Sequence, residues 1–325
     1  MRQIEPTAVA MVIRDFQPRA PEVAILLCTF EGQRFLHEQL ASFEAQSLKA
    51  WALLVSDDGS SDRTLDILQE QQKQWGRGKL TLQSGPRQGF AANFLSLTCQ
   101  ADIKADFYAY ADQDDIWEAD KLERAVQWLK SVPEDIPALY CSRTRLVDEE
   151  NRTLGYSPLF KRPPCFANAL MQNIGGGNTM VFNHATRKLL CQAGKDIKVV
   201  SHDWWAYILV TGCGGKVFYD EYPSVRYRQH KENLLGSNKS TKAQLIRIKK
   251  LLSGGYKEWN QINIDALKKS NIELSEENLK ILNCFKRGRV NNLYKRIVYI
   301  KKSKIHRQNV IGNLGIIMGI LINKI

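Results

Sequence analysis

A chain of 325 residues that is 44% hydrophobic and 25% charged holds enough apolar side chain for one large core or two smaller ones, which excludes a disordered polymer. Its net charge of +12 is confined to one end: residues 240–325 carry 18 Lys and Arg against 5 Asp and Glu, whereas residues 1–239 carry 28 against 29. A near-neutral body with a basic tail argues against a nucleic-acid groove through the fold and for a tail that meets an anionic surface.

Residues 1–22 contain acids and prolines but no long apolar core; they read as an N-terminal extension rather than a secretory signal. From residue 23 onward β-rich apolar runs alternate with helical patterns. Strands are expected at 23–28, 51–55, 79–83 and 107–111, with helices near 33–46, 63–75 and 89–100 between them. Ser61 or Asp62 would cap the second helix, and Gly76 and Gly78 would stop it. This β-α-β-α order predicts an α/β fold with a mainly parallel sheet, helices on both faces and right-handed crossovers. A helix follows at 119–130, then a strand at 138–143 and a loop rich in proline (Pro158, Pro163, Pro164). Gly175-Gly176-Gly177-Asn178, a helix from Asp203 and strands at 216–219 and 225–228 complete the body.

From about residue 242 the chain is basic and mostly helical, and no internal repeat is found. The apolar run 310–322 has 13 residues, short of the ~20 that span a bilayer, so it is expected to lie in the interface. The seven cysteines are scattered, odd in number and never spaced as Cys-x-x-Cys. Neither a disulfide framework nor a zinc site is expected, and reduced thiols in a cytoplasm fit best.

Sheets of this kind bind ligands beyond the carboxyl ends of their strands, and short polar segments follow the first, second and fourth strands. They are Thr29-Phe30-Glu31-Gly32, Ser56-Asp57-Asp58-Gly59-Ser60 and Asp112-Gln113-Asp114-Asp115. Three carboxylates in four residues suit a hard divalent cation shared with substrate phosphates; the competing reading is an acidic helix start. A Ca²⁺ loop fits worse, because Ile116 and Trp117 stand where an oxygen ligand and a glycine belong. Asp57-Asp58-Gly59-Ser60 reads either as a turn or as a carboxylate that accepts a base N–H. The triple glycine precedes a strand, which suits a close-approach loop better than a phosphate cradle.

His202-Asp203-Trp204-Trp205 opens a helix. Asp203 is either an N-terminal charge facing the dipole or a general base, with the Trp pair on a sugar or in the core. His230 is a surface or core residue, or else a metal or diphosphate contact. Neither a Walker loop nor Gly-x-Gly-x-x-Gly follows any strand, and no Gly-x-Ser-x-Gly elbow occurs, so ATPase, NAD-dependent and acyl-transfer readings lose their support.

In this order, over roughly residues 22–236, these segments resemble the family 2 inverting glycosyltransferases of the GT-A fold. The Asp-Gln-Asp-Asp form and Tyr227-Arg228-Gln229-His230-Lys231-Glu232-Asn233 look most like the rhamnosyltransferase-like branch that builds bacterial surface polysaccharides such as O-antigen, lipopolysaccharide or capsule. The resemblance implies a GT-A catalytic domain over 23–239, divided into a nucleotide-binding half (23–137) and an acceptor-side half (138–239), with a basic helical, membrane-associating region at 240–325. It implies Asp203 as catalytic base and Asp114, Asp112 and His230 as ligands of Mn²⁺ or Mg²⁺. Nucleotide contacts fall to Thr29, Phe30, Glu31, Asp57, Asp58, Asp112 and Gln113, and acceptor contacts to Gly176, Gly177, Asn178, His202, Trp204 and Trp205. Two positions depart from the pattern: Glu31 stands where the family commonly has Asn, and His202 where Glu is frequent.

The activity so implied is transfer of a sugar from a UDP- or dTDP-sugar to a hydroxyl of a lipid-diphosphate-linked glycan. The enzyme would sit peripherally on the inner face of the bacterial cytoplasmic membrane and bind no nucleic acid. A rhamnosyltransferase is the first reading; a glucosyl-, galactosyl- or N-acetylhexosaminyltransferase is the alternative. A sugar-phosphate nucleotidyltransferase would share the acidic site but should carry a Gly- and Arg-rich loop after its first strand, where this chain has Thr29-Phe30-Glu31-Gly32.

Overall fold

The computed structural model describes residues 22–76, 78–100, 102, 104–230 and 253–325. Most of the expected N-terminal extension, Lys231-Glu232-Asn233 and the start of the basic tail lie outside the described residues.

Strand β1 (Val23–Thr29) is buried along its whole length. Its alternating side chains enter two different cores, because helices cover both faces. Val23, Ile25 and Leu27 pack with Leu36, Leu40 and Phe43 of α1 (Leu36–Glu44) and with Leu68 of α2 (Thr64–Trp75). Ala24, Leu26 and Cys28 pack with Phe94 and Leu97 of α3 (Phe90–Thr98). β2 (Trp51–Asp57), β3 (Leu80–Ser84) and β4 (Phe107–Ala111) complete a parallel half in which β1 is central. Thr29 is level with Asp57, and Leu27 with Ala111, so the three polar segments emerge side by side.

The second half is mixed. β8 (Val181–Asn183) runs antiparallel between β4 and β6 (Ala138–Val147), while β9 (Lys216–Arg228) runs parallel to β6. The order is β3-β2-β1-β4-β8-β6-β9-β5, with β7 (Thr153–Tyr156) paired to β6. The two strands expected at 216–219 and 225–228 are one element of 13 residues. Asp220, Glu221 and Pro223 look like a break, but a register shift opposite Ser142 and Thr144 absorbs them without ending the strand. The unanticipated elements include β5 (Ile116–Trp117), which pairs with Val225 and Arg226, the short strand β7, and α6 (His184–Ala193), capped by the Asn183 side chain.

The expected helix at 119–130 is α4 (Lys121–Leu129), whose Leu122, Ala125, Val126 and Leu129 enter the α1 side core. α5 (Phe166–Ala169) and α7 (His202–Gly212) lie in the other core. The tail forms α8 (Gly255–Lys269), α9 (Glu276–Val290), α10 (Leu293–Ser303) and α11 (Val310–Leu321). Ile264, Leu282, Phe285, Ile300 and Ile316 join the α3 side core, so the tail packs on the body.

Candidate active site

The parallel strands end in a cluster of carboxylates whose backbones are tied by their own side chains. Asp57 accepts from Thr29 Oγ1 at 2.8 Å, Ser60 Oγ at 2.6 Å and the amides of Gly59 and Ser60 at 3.1 and 2.8 Å. The carboxylate therefore closes the turn after β2, the local role its sequence suggested. Asp58 accepts the amides of Arg87 (2.6 Å) and Gly89 (2.9 Å), which draws the loop before α3 against the end of β2. Gly85 permits that approach: a Cβ there would meet Asp58 Oδ1 at 2.8 Å and the Asp57 carbonyl at 3.0 Å. Sequence reasoning gave no role to this Gly85-Pro86-Arg87-Gln88-Gly89 run, although two glycines bracketing Pro-Arg beyond a strand end are a loop signal.

Gln113 is spent on the backbone. Its amide accepts from Phe30 N and donates to Phe30 O, both at 2.9 Å, so its side chain pins the loop after β1 to the loop after β4. Phe30 itself is 57% exposed. Glu31 adopts φ +51°, the left-handed region that Asn enters more easily. Its carboxylate accepts the amide and hydroxyl of Ser61, each at 2.8 Å, which braces the start of α2.

Asp114 Oδ2 lies 2.6 Å from His230 Nε2, joining the end of β4 to the end of β9. Arg228, fully buried, supports this corner: its Nε donates to Asp114 O at 3.0 Å, its amide to Asp115 Oδ1 at 3.2 Å, and its Nη2 to Glu38 Oε2 at 2.8 Å. A fourth bond runs from Nη1 to the Glu149 carbonyl. Asp115 is buried and also accepts from Asn178 Nδ2 at 2.5 Å. Burial and the charges of Asp114 and Asp112 push its carboxyl well above the usual range, opposed by these two hydrogen bonds. Asp112 is pushed up to about 8, first by burial and then by Asp114 and Asp203. The three carboxylates thus share one field.

The expected three-ligand cage of Asp114, Asp112 and His230 is not formed: among the described residues no three His, Cys, Asp or Glu side chains are grouped to hold a metal ion. Asp114 and His230 pair, and Asp112 lies near enough to feel the charges of Asp114 and Asp203. One carboxylate and one imidazole still fit a hard cation that takes its remaining ligands from substrate phosphates and water, and a carboxyl held up by burial and neighbouring carboxylates, as at Asp112, is one whose charged form a cation would favour.

On the acceptor side, the 3₁₀ turn Gly177–Thr179 meets the start of α7. Asp203 Oδ2 accepts Gly177 N at 3.0 Å, and Oδ1 accepts Trp204 N at 2.7 Å. A Cβ at Gly177 would run into the His202 ring, and one at Gly176 would meet Asn178 Oδ1 at 2.6 Å. His202 is buried, stacked on Phe94 at 3.8 Å with Tyr110 edge-on at 4.7 Å. Burial pushes its imidazole down to about 4 against the pull of Asp203, so it is neutral near pH 7. Trp204 and Trp205, offered as acceptor-side rings, are core side chains instead. Trp205 is fully buried, and Trp204 is buried with its indole N–H donated to Ala169 O at 2.6 Å. Neither presents a face on which a sugar could stack.

Residues 24–191 match the model of glycosyl transferase family 2. The chain is 29% identical over 232 residues to the dTDP-rhamnosyl transferase RfbG of Shigella flexneri, covering 68% of this chain and 78% of that protein. Among solved structures, it is similar to S. aureus TarS 1-349 in complex with UDP-GlcNAc, at TM-score 0.51 and 14% identity over 87% of this chain and 89% of that one. GalNAc-T7 with UDP, GalNAc and Mn²⁺ matches at TM-score 0.53 and 10% identity, over 89% of this chain and 55% of that one.

Proposed function

Because the chain belongs to glycosyl transferase family 2, we propose that it is a metal-dependent inverting hexosyltransferase acting on a UDP- or dTDP-sugar. The observation that carries this reading is the convergence of the Asp114–His230 pair and Asp112, beyond β4 and β9, with the Asp203 carboxylate at the start of α7. Asp203 is oriented there by two amides, which leaves its remaining lone pairs for a proton from outside the chain. The acceptor hydroxyl oxygen forms a bond to the anomeric carbon, the bond from that carbon to the diphosphate oxygen breaks, and the hydroxyl proton passes to Asp203. Attack opposite the leaving diphosphate inverts the anomeric centre.

Asp114 and His230 would hold Mn²⁺ or Mg²⁺, which neutralises the leaving diphosphate when bound. The loops after β1 and β2, cross-braced by Gln113, Glu31 and Asp58, would form the nucleotide wall, with Thr29, Phe30 and Asp57 beside them. Gly176, exposed at the turn that meets α7, would border the acceptor, with Gly177, Asn178 and His202 buried behind it. The dTDP-rhamnosyl relative favours a dTDP-rhamnose donor; glucosyl, galactosyl or N-acetylhexosaminyl transfer is the alternative. The acceptor would be a lipid-diphosphate-linked glycan of surface-polysaccharide assembly, met at the cytoplasmic face of the membrane. Nucleoside diphosphate release across a panel of UDP- and dTDP-sugars, with and without EDTA, tests this. Release from at least one donor that stops on chelation is expected, and no release from any donor would refute it.

A further inference from the structure

Of the 18 large apolar side chains exposed among the described residues, 11 lie between positions 290 and 322, on a stretch that contributes only part of its surface to the core. On α11, Val310, Ile311, Leu314, Ile317, Met318 and Leu321 are each more than half exposed. Their spacing places them on one side of the helix, while Ile316 and Gly319 turn inward and are buried. α10 extends the apolar surface. Between the two helices runs a groove of about 320 Å³ lined by Ile297, Ile305, Ile317 and Ile320 and rimmed by Lys301 and Lys304.

Charge selects the occupant. Residues 278–325 hold 11 Lys and Arg and no Asp or Glu, and Lys295, Lys301, Lys302 and Lys304 are exposed. A second copy seated here would bring like charges together, whereas an anionic bilayer accepts both the apolar face and its cations. Twelve residues of α11 span ~18 Å, well short of a ~30 Å hydrocarbon core. No helix among the described residues is long and apolar enough to cross a membrane.

We propose that α10 and α11 form a monotopic docking face, with α11 lying in the plane of an anionic bilayer and the lysines among its head groups. The face deepens the membrane-linked reading above, but its binding needs no transfer chemistry.

The test is co-sedimentation of the full chain with vesicles of phosphatidylcholine alone and of phosphatidylcholine mixed with phosphatidylglycerol, at low and high salt. Two triple variants accompany it: Leu314→Gln with Ile317→Gln and Met318→Gln, and Lys301→Glu with Lys302→Glu and Lys304→Glu. All six positions are exposed, so both variants should fold, which circular dichroism checks. The parent protein should pellet with the anionic vesicles and weaken at high salt. The lysine set should lower partitioning by at least about 100-fold, at about fivefold for each of the three cations lost and before the repulsion of the three added carboxylates, and the glutamine set should abolish it. Recovery of the parent in the supernatant with both vesicles, or a glutamine variant that pellets like the parent, would overturn the proposal. So would a lipid-free dimer, seen by light scattering, that the glutamine variant dissolves. Vesicle binding without transfer to a short soluble acceptor would leave the docking face standing and sink the transferase reading instead.

Discussion

Asp114 Oδ2 and His230 Nε2 meet at 2.6 Å although 116 residues separate them, because the ends of β4 and β9 converge on one corner of the sheet. The buried Arg228 fixes that corner by holding the Asp114 carbonyl and the Asp115 carboxylate together. If this pair holds the cation, Asp114→Ala and His230→Ala should each weaken metal-dependent donor binding. The double variant should be little worse than the more severe single one, since residues acting as a unit do not add. Calorimetric titration of a nucleotide sugar with and without Mn²⁺ measures this. Metal-dependent affinity equal to the parent's in both single variants would exclude the pair as ligands.

Asp203→Asn keeps one of the two amide contacts, since Oδ1 and Oδ2 each accept a different amide and a carboxamide has one oxygen, and it removes the proton acceptor. Turnover should fall by ~10² to 10⁴, the usual scale for loss of a general base, with donor affinity unchanged. Steady-state kinetics beside donor titration check both parts; an unaltered turnover number would exclude Asp203 as the base.

Gly177→Ala tests the geometry around that base. The added methyl would meet His202 and lie 3.4 Å from Asp203 Cβ, so the turn must shift and the 3.0 Å bond from Gly177 N to Asp203 should lengthen. A displacement of about 1 Å at a reacting group costs on the order of 10² in rate. The expected result is a lower kcat with donor affinity unchanged, in a protein that still folds but melts somewhat lower because the buried His202 ring must give way. A kcat equal to the parent's would show that this contact does not position Asp203.

Lys121 supplies a pH prediction away from the reaction. Its Nζ sits 3.5 Å over the Trp117 ring, has no hydrogen-bond partner among the described residues, and is pushed by burial from 10.5 down to about 7, against the pull of Asp115. Between about 7 and 10.5 the unfolded chain carries a proton that the native chain has released, so this group makes stability rise with pH across that window. Below about 7 both states are protonated and the cost of the buried charge is fully present. Lys121→Met removes the group, and its stability relative to the parent should decline as pH rises from about 7 towards 10. Urea melts at several pH values measure this. Parallel curves for the two proteins would contradict it.

The parallel half was legible because each strand is a short apolar run closed by Asp, Ser or Gly, so local pattern and tertiary role agree. β9 was cut in two because Asp220, Glu221 and Pro223 are poor strand residues, and only the partner strand β6 shows how a register shift accommodates them. Asp112 and Asp114 stand out in the sequence through their spacing just beyond a strand, and Asp203 through its place at a helix start. Arg228 did not: an arginine in a polar motif reads as surface until the fold buries it among Glu38, Glu149 and Asp114. The Trp pair misled in the opposite direction, since aromatic residues beside a catalytic motif look the same in sequence whether they face a sugar or a core.

Inverting transfer from a nucleotide sugar, with Asp203 as base, is the proposed reaction. It is tested most directly by incubating the full chain with the donor that releases nucleoside diphosphate, Mn²⁺ and a lipid-diphosphate-linked acceptor, and reading the anomeric configuration of the product by NMR. A glycoside of the anomeric configuration opposite to that of the donor is expected, formed only with metal and lost in Asp203→Asn. A product that retains the donor configuration, or one that Asp203→Asn forms at the parent's rate, would contradict it.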